Sequence, residues 1–291
     1  MTNTMTTTHT PTKRFVTTNG LRMKALHWPG PAGAVPAVLL HGLTSCAETW
    51  SLVAPQLAAD RPVYALDLRG HGETDKPDHG YDQATVAADV AGALDALGVA
   101  AACVVGHSWG GGVALRLAAD PPQRVRRLVL ADGGFLNRRP NEPTPERLEA
   151  MLAPPEIYQT VHTYFAEFRR TLHGHWTPEI EAIALAAIEH NPDGSVRERL
   201  AREHQKLILS AGWGHDPLPV YARVACATLL LPADNLIQPP ERRAARQAAV
   251  AETAALLQQA RVHWVPESVH DIQLHKPDVV AGVLRDHFLD A

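Results

Sequence analysis

The stretch Val104-Val105-Gly106-His107-Ser108-Trp109-Gly110-Gly111-Gly112 crowds four glycines around one serine, directly after small and β-branched residues. Its centre, Gly106-His107-Ser108-Trp109-Gly110, is a G-x-S-x-G, the strand-to-helix turn that lifts a serine hydroxyl clear of a sheet. The chain must reverse there within a few residues, and a Cβ at Gly106 or Gly110 would stand in the way. Ser108 then sits at a helix N-terminus, where the dipole favours developing negative charge. A hydroxyl is a poor nucleophile near neutral pH, so attack by Ser108 on an acyl carbon needs a base, and the base needs an acid to orient it.

In proteins with this turn, acid and base follow the serine in the order Asp or Glu, then His, each on a loop after a strand. "ATLLLPADNLIQPP" offers Asp234 just beyond a strand, and "RVHWVPESVHDIQLHKP" offers His270 just beyond the last one. The expected roles are Ser108 as nucleophile, His270 as general base and acid, and Asp234 as the orienting acid. Asp132, in "LVLADGG", also follows a strand and is the alternative acid. The developing oxyanion needs two donors: the Leu43 N–H, freed by the flexible His41-Gly42 pair of "LLHGL", and the Trp109 N–H next to the nucleophile. His41 reads as a loop residue held by hydrogen bonds, and Cys46 and Glu48 as packing and capping residues. His173 and His175 in "LHGHW" lack acidic or Cys partners at ligand spacing and read as a surface turn, so no metal is expected.

Holding these residues requires an alternating α/β pattern. "RFVTT", "LRMKALHW", "AVLLH", "PVYALDL", "ACVVG", "RRLVLA", "ATLLLP" and "RVHWVP" read as eight strands of one mostly parallel sheet, separated by helices that cover both faces. The first two flank Asn19-Gly20, a hairpin signal, and predict an antiparallel pair. "TVAADVAGALDALG", "VALRLAAD", "RRAARQAAVAETAALLQQA" and "DVVAGVLRDHFL" carry helical spacing. About 90 residues separate the sixth strand from the seventh, too many for a simple connection. They predict an inserted helical cap over residues 136–220, with the core domain at 14–135 and 221–291 and a frayed tail at 1–13.

Net charge is −4 over 291 residues, with acidic and basic groups interspersed, which gives no footprint for nucleic acid or an anionic membrane. Cys46, Cys103 and Cys226 are an odd number without CxxC spacing, which favours a reducing compartment over a disulfide framework. No apolar run approaches the roughly 18 residues of a membrane span, and the Thr-rich start lacks a secretory apolar region. A soluble, cytoplasmic protein without a cofactor is expected, a monomer or a homodimer.

The segments "LLHGLTSCAETW", "ALDLRGHGETDKP" and "VVGHSWGGGVAL", with the Asp234 and His270 stretches, resemble the α/β-hydrolase superfamily, in particular its capped branch of esterases, lactonases, C–C bond hydrolases, haloalkane dehalogenases and epoxide hydrolases. The resemblance covers nearly everything from about residue 14 to the end. It marks "DLRGHGETDKP" as a structural signature and places the cap between strands six and seven. It also keeps Asp132 in view, because some capped members take their acid from that position and "PADNLIQPP" lacks the glycine of the usual G-x-x-D loop. The dehalogenases and epoxide hydrolases it resembles carry Asp where this chain has Ser108, so the resemblance implies an acyl-serine and not an alkyl ester on a carboxylate. It implies a serine hydrolase of small to medium carboxylic esters; lactonase, thioesterase, C–C hydrolase and perhydrolase are alternatives with the same triad, and a slow ligand-binding receptor is the alternative of a different class. Eight of the 16 aromatic residues (Phe135, Tyr158, Tyr164, Phe165, Phe168, Trp176, Trp213 and Tyr221) lie in the 87 residues from 135 to 221. Most are expected to dock the cap, and a few to line an apolar pocket for acyl and aryl groups.

Overall fold

The structure is a computed structural model that describes residues 10–136, 144–152, 156–212, 217–235 and 238–289. Along the chain, β1 (Thr12–Thr18) and β2 (Leu21–Trp28) form a hairpin, followed by β3 (Ala37–Leu40), helix α1 (Ala54–Leu57), β4 (Val63–Leu66), α2 (Gln83–Ala96), β5 (Ala102–His107), α3 (Trp109–Ala119) and β6 (Val125–Ala131). Asn19 and Gly20 both take positive φ, 49° and 77°, the two left-handed positions of a type I′ turn, which matches the twist of the paired strands.

An insertion follows: α4 (Pro145–Met151), β7 (Ile157–Tyr158), α5 (Val161–Thr171), α6 (Pro178–Ala186), β8 (Ile188–His190), β9 (Val196–Glu198), α7 (Arg202–Ala211) and α8 (Leu218–Arg223). The chain then returns through β10 (Ala227–Leu231), β11 (Ala233–Asn235), α9 (Pro240–Leu256), β12 (Ala260–Val262), β13 (Val265–Ser268), α10 (Ile272–His275) and α11 (Pro277–Phe288).

Eight strands form one sheet in the order β1-β2-β4-β3-β5-β6-β10-β12, with β2 antiparallel to both neighbours and all later pairs parallel. The strand side chains alternate between two cores, as the period of two requires. Leu40, Val104 and Leu130 face α2, α3 and α9, whereas Leu39, Val105 and Val129 face α1 and α11. β3 is buried at all four positions, the pattern of a strand covered on both sides.

Two expectations need correction. "RVHWVP" is not one strand: β12 ends the large sheet, and β13 pairs instead with β11. Pro232 separates β10 from β11 and has no N–H to give the ladder, so pairing breaks and restarts beyond it. The insertion is not purely helical, because β7, β9 and β8 form an antiparallel three-stranded sheet. Its β8–β9 hairpin closes through Asp193-Gly194, with Asn191 N–H donating to Ser195 O at 2.8 Å and Gly194 at φ 85°. The linker residues 137–143 and Trp213 lie outside the described residues, as do 1–9 of the expected tail, while Thr12 and Lys13 belong to β1. Among the described residues no helix is long and apolar enough to cross a membrane.

Candidate active site

Ser108 lies between β5 and α3, as the N-cap of the helix, with φ 52° and ψ −120°, a conformation that costs a non-glycine residue on the order of 1–3 kcal/mol. The turn tolerates no extra bulk. A Cβ on Gly106 would lie 2.2 Å from the Gly110 carbonyl oxygen, and one on Gly110 would lie 2.3 Å from that of His41. Ser108 N–H donates to Ala131 O at 3.0 Å and its carbonyl accepts from Gly111 N–H at 3.0 Å, so the backbone is pinned on both sides. The side chain makes no cap bond to its own helix. Its Oγ lies instead 2.9 Å from His270 Nε2.

His270 sits on the loop after β13, its side chain 47% exposed, and its Nδ1 is 2.5 Å from Asp132 Oδ2. Asp132, not Asp234, is therefore the carboxylate against the imidazole, and the expected acid is corrected. The reason lies in strand order. Asp132 follows β6, the immediate neighbour of the serine-bearing β5, while Asp234 lies beyond β10, one strand (about 4.8 Å) further out. Asp234 Oδ1 accepts from Arg243 at 2.8 Å in a partly exposed pair. Asp132 is buried at φ 47°, and its Oδ1 accepts from the Ala233 N–H at 2.6 Å and from Arg246 of α9. Burial raises the Asp132 pKa, but the hydrogen bond and charge of His270, together with Arg246 and Ala233 N–H, outweigh it and hold the carboxyl below its ordinary value. For His270 desolvation opposes the charged form; the bond and charge of Asp132 and the charge of Asp271 overcome it, so its pKa lies above the ordinary 6.5, with Arg246 working against the rise.

Three contributors escaped sequence reasoning. Arg246 carries no motif and becomes visible only when α9 packs beside β6. His107, inside the G-x-S-x-G, is buried and donates from Nε2 to the His270 carbonyl at 3.0 Å, with its ring 4.8 Å from that of His270. Burial and then the charge of His270 lower its pKa, keeping it a neutral prop for the loop. Glu198, in the insertion, lines the same cavity as Ser108 and His270; in "VRERL" it looks like an ordinary solvated charge.

Leu43 and Trp109 both stand beside the serine. A Cβ on Gly42 would lie 3.0 Å from Ser108 Cβ, so the Gly42-Leu43 backbone runs directly past the nucleophile. Trp109 is the first residue of α3, whose opening N–H groups have no intrahelical acceptor. Behind this loop, His41 is buried: its Nδ1 lies 2.8 Å from Gly42 O and its Nε2 accepts from Leu68 N–H at 3.0 Å. Burial pushes its pKa down to about 4, so it is neutral and structural.

Cys46, Glu48 and Asp67 bring ligand-type atoms within 4.8 Å of one another. Lys24 Nζ fills that position, 2.6 Å from Glu48 and 3.1 Å from Asp67. Burial disfavours the ammonium, yet Asp67 and Glu48 outweigh it and raise its pKa. Asp67 also accepts from Ala47 N–H at 2.7 Å and Glu73 N–H at 2.8 Å, which ties the "DLRGHGETDKP" turn to the chain after the oxyanion loop. His175 packs edge-on against His275 with ring centres 5.5 Å apart.

A cavity of about 430 Å³ opens onto Ser108 and His270, roofed by Leu152, Glu198, Leu200 and Gln205 of the insertion. No aromatic residue lines it among the described residues, contrary to expectation. Tyr158, Tyr164, Phe165, Phe168 and Trp176 pack on one another to make the insertion's own core. Phe135 lies under Arg246, and Tyr221 is buried with its hydroxyl donating to Gly134 O at 2.8 Å. A small subdomain has too little volume to form a core without its largest side chains.

The chain also resembles known proteins. A family model of the alpha/beta hydrolase fold matches residues 36–178. The chain is 32% identical over 226 residues to a soluble epoxide hydrolase of Corynebacterium sp. (strain C12), covering 67% of this chain and 78% of that one. It is 38% identical over 142 residues to a 2-hydroxymuconate semialdehyde hydrolase of Pseudomonas sp. (strain CF600), covering 47% of this chain and 46% of that one, so it spans less than half of that relative. The crystal structure of E-2-(acetamidomethylene)succinate hydrolase superposes with a TM-score of 0.78 at 24% identity, covering 97% of this chain and 100% of the other.

Proposed function

Because the chain belongs to the α/β-hydrolase fold family and is a hydrolase, we propose that it cleaves small to medium carboxylic esters through an acyl-serine on Ser108, with His270 as base and Asp132 as orienting acid. The observation that carries this reading is the continuous relay from Asp132 Oδ2 to His270 Nδ1 at 2.5 Å and from His270 Nε2 to Ser108 Oγ at 2.9 Å.

In the first half-reaction His270 Nε2 accepts the Ser108 proton as Oγ attacks the acyl carbon. Asp132 holds the Nδ1–H and stabilises the imidazolium. The oxyanion forms toward the backbone N–H groups of Leu43 and Trp109, which need no reorganisation to receive it. His270 then returns the proton to the leaving alkoxide, and the alcohol departs. Water, deprotonated by the same imidazole, attacks the acyl-serine, releases the acid and restores Ser108. Ser108 has no carboxylate to form an alkyl ester, so the epoxide chemistry named for the Corynebacterium relative is not carried over. The resemblance to the semialdehyde hydrolase supports a second reading, in which the same serine attacks a ketone and the leaving group is a carbon.

A fluorophosphonate probe tests the assignment. One adduct on Ser108, with loss of ester turnover, and none on Ser108→Ala is the expected result. Labelling of both proteins alike would place the nucleophile elsewhere.

A further inference from the structure

Glu198 is the acidic residue of β9 that the cap turns toward the nucleophile, in the cavity that also holds Ser108 and His270. Its immediate surroundings are donors. Gln205 Nε2 of α7 donates to Oε2 at 3.0 Å while also donating to Leu200 O at 3.1 Å, and the Thr44 hydroxyl, one residue past Leu43, donates to the same carboxyl. The charged and titratable groups that face it or share its cavity are Arg202 from α7, Tyr158 from β7, Tyr164 from α5, Arg197 from β9, Glu156 before β7 and, across the cavity, His270. Arg202 is engaged with Glu149 Oε1 at 2.7 Å and Leu152 O at 2.9 Å. Burial pushes the carboxyl up to about 7, and Gln205, Thr44 and Arg202 only partly oppose it. Near neutral pH a large fraction is therefore the neutral acid, which carries one O–H. Two neighbours already donate to its oxygens, so that O–H is available to an acceptor in the cavity. Leu43, Leu152 and Leu200 give an acyl chain apolar contact, while Glu156, Arg197 and Arg202 line the same cavity.

We propose that Glu198 determines specificity: its carboxylic acid donates a hydrogen bond to a carbonyl oxygen borne on the substrate's acyl chain, so that keto-acyl groups are taken over plain alkyl groups of equal length. The inference rests on the acyl-serine reading of Ser108. It accounts for a half-buried acid in a cavity whose chemistry does not otherwise use it, since a site built to hydrogen-bond a substrate group discriminates against the analogue that lacks it.

The test compares p-nitrophenyl 4-oxopentanoate with p-nitrophenyl pentanoate, each kcat/KM divided by that ester's hydroxide-catalysed rate. Both esters use the same His270, so its titration cancels in their ratio. In wild type the ratio is expected to favour the keto ester by roughly tenfold at pH 6, the yield of one hydrogen bond, and to fall as pH rises through about 7 and Glu198 ionises. Glu198→Gln keeps a donor that cannot ionise, so its ratio should stay above one and lose the pH dependence. Glu198→Leu should bring the ratio to about one at all pH values. Fluorophosphonate titration of Ser108 counts intact sites in each variant. A wild-type ratio near one at pH 6, or a ratio unchanged in Glu198→Leu, overturns the proposal while normal acylation leaves Ser108 in its role. If neither ester turns over and Ser108 takes up no acyl group, the acyl-serine reading falls and the proposal with it.

Discussion

Asp132→Asn should be far more damaging than any other carboxylate-to-amide change in this protein. Asp132 Oδ1 accepts from Ala233 N–H and Arg246, and Oδ2 takes the His270 Nδ1–H. Asparagine keeps only one acceptor oxygen. The two donors on the Oδ1 side claim it, which turns the amide NH₂ toward His270 Nδ1. That nitrogen must then be the unprotonated one, Nε2 carries the proton, and it cannot accept from Ser108 Oγ. Loss of the correct tautomer and of imidazolium stabilisation costs about 10⁴-fold in kcat, or about 5.5 kcal/mol of transition-state stabilisation. Asp234→Asn removes only a partly exposed pair with Arg243, worth about 0–1 kcal/mol of stability, and should leave kcat within a few-fold of wild type. The assay is steady-state hydrolysis of p-nitrophenyl butyrate, with thermal melting of each variant to show that it is folded. A folded Asp132→Asn that turns over within tenfold of wild type, or an Asp234→Asn that is the worse of the two, would refute the assignment.

Other expectations concern pH, stability and pocket size. The base must be neutral and its pKa is raised, so kcat/KM should climb with pH through a midpoint above 6.5. Arg246 opposes that rise, so Arg246→Met should move the limb to higher pH; a shift to lower pH would contradict the electrostatics. The folded-state pKa of Glu198 lies near 7, against an ordinary 4.5. Its stabilising contribution is thus complete below about pH 4.5 and lost as pH rises toward 7, at most about 3 kcal/mol. Glu198→Gln should therefore gain thermal stability relative to wild type between pH 5 and pH 8, and an unchanged difference in Tm between the two pH values would show that the carboxyl is not perturbed. With a cavity of about 430 Å³, kcat/KM across p-nitrophenyl esters from acetate to palmitate should fall at the long end; a maximum at palmitate would contradict a closed, small pocket.

The scaffold was legible because its cues are local. β-Branched runs separated by helical spacing mark the eight strands, Asn19-Gly20 marks the hairpin, and the glycines at 106 and 110 mark the turn that carries Ser108. His270 was legible because it alone follows the last strand at loop distance. The acid was not, because Asp132 and Asp234 both follow strands and only the spatial order β5-β6-β10 separates them. The same holds for Arg246, whose pairing with Asp132 spans 114 positions in sequence. The insertion misled in two ways. Asp193-Gly194 is a local hairpin signal that outranked helical spacing on either side, and the density of aromatics gave no hint of which way the rings face. Those of the described residues pack mainly within the insertion, with Phe168 and Trp176 also docking it on Leu52, Val269 and Leu274, leaving the roof over Ser108 to Leu, Met, Gln, Glu and Arg side chains.

A covalent acyl-Ser108 intermediate can be caught by mass spectrometry of protein quenched in acid during turnover of a slowly deacylating p-nitrophenyl ester. Protein heavier by one acyl group is expected, with the modification mapped to the peptide containing Ser108, formed at the rate of the p-nitrophenol burst and absent from Ser108→Ala. Sustained turnover with no acylated protein at any quench time, or an acyl group on another residue formed at the burst rate, would contradict it.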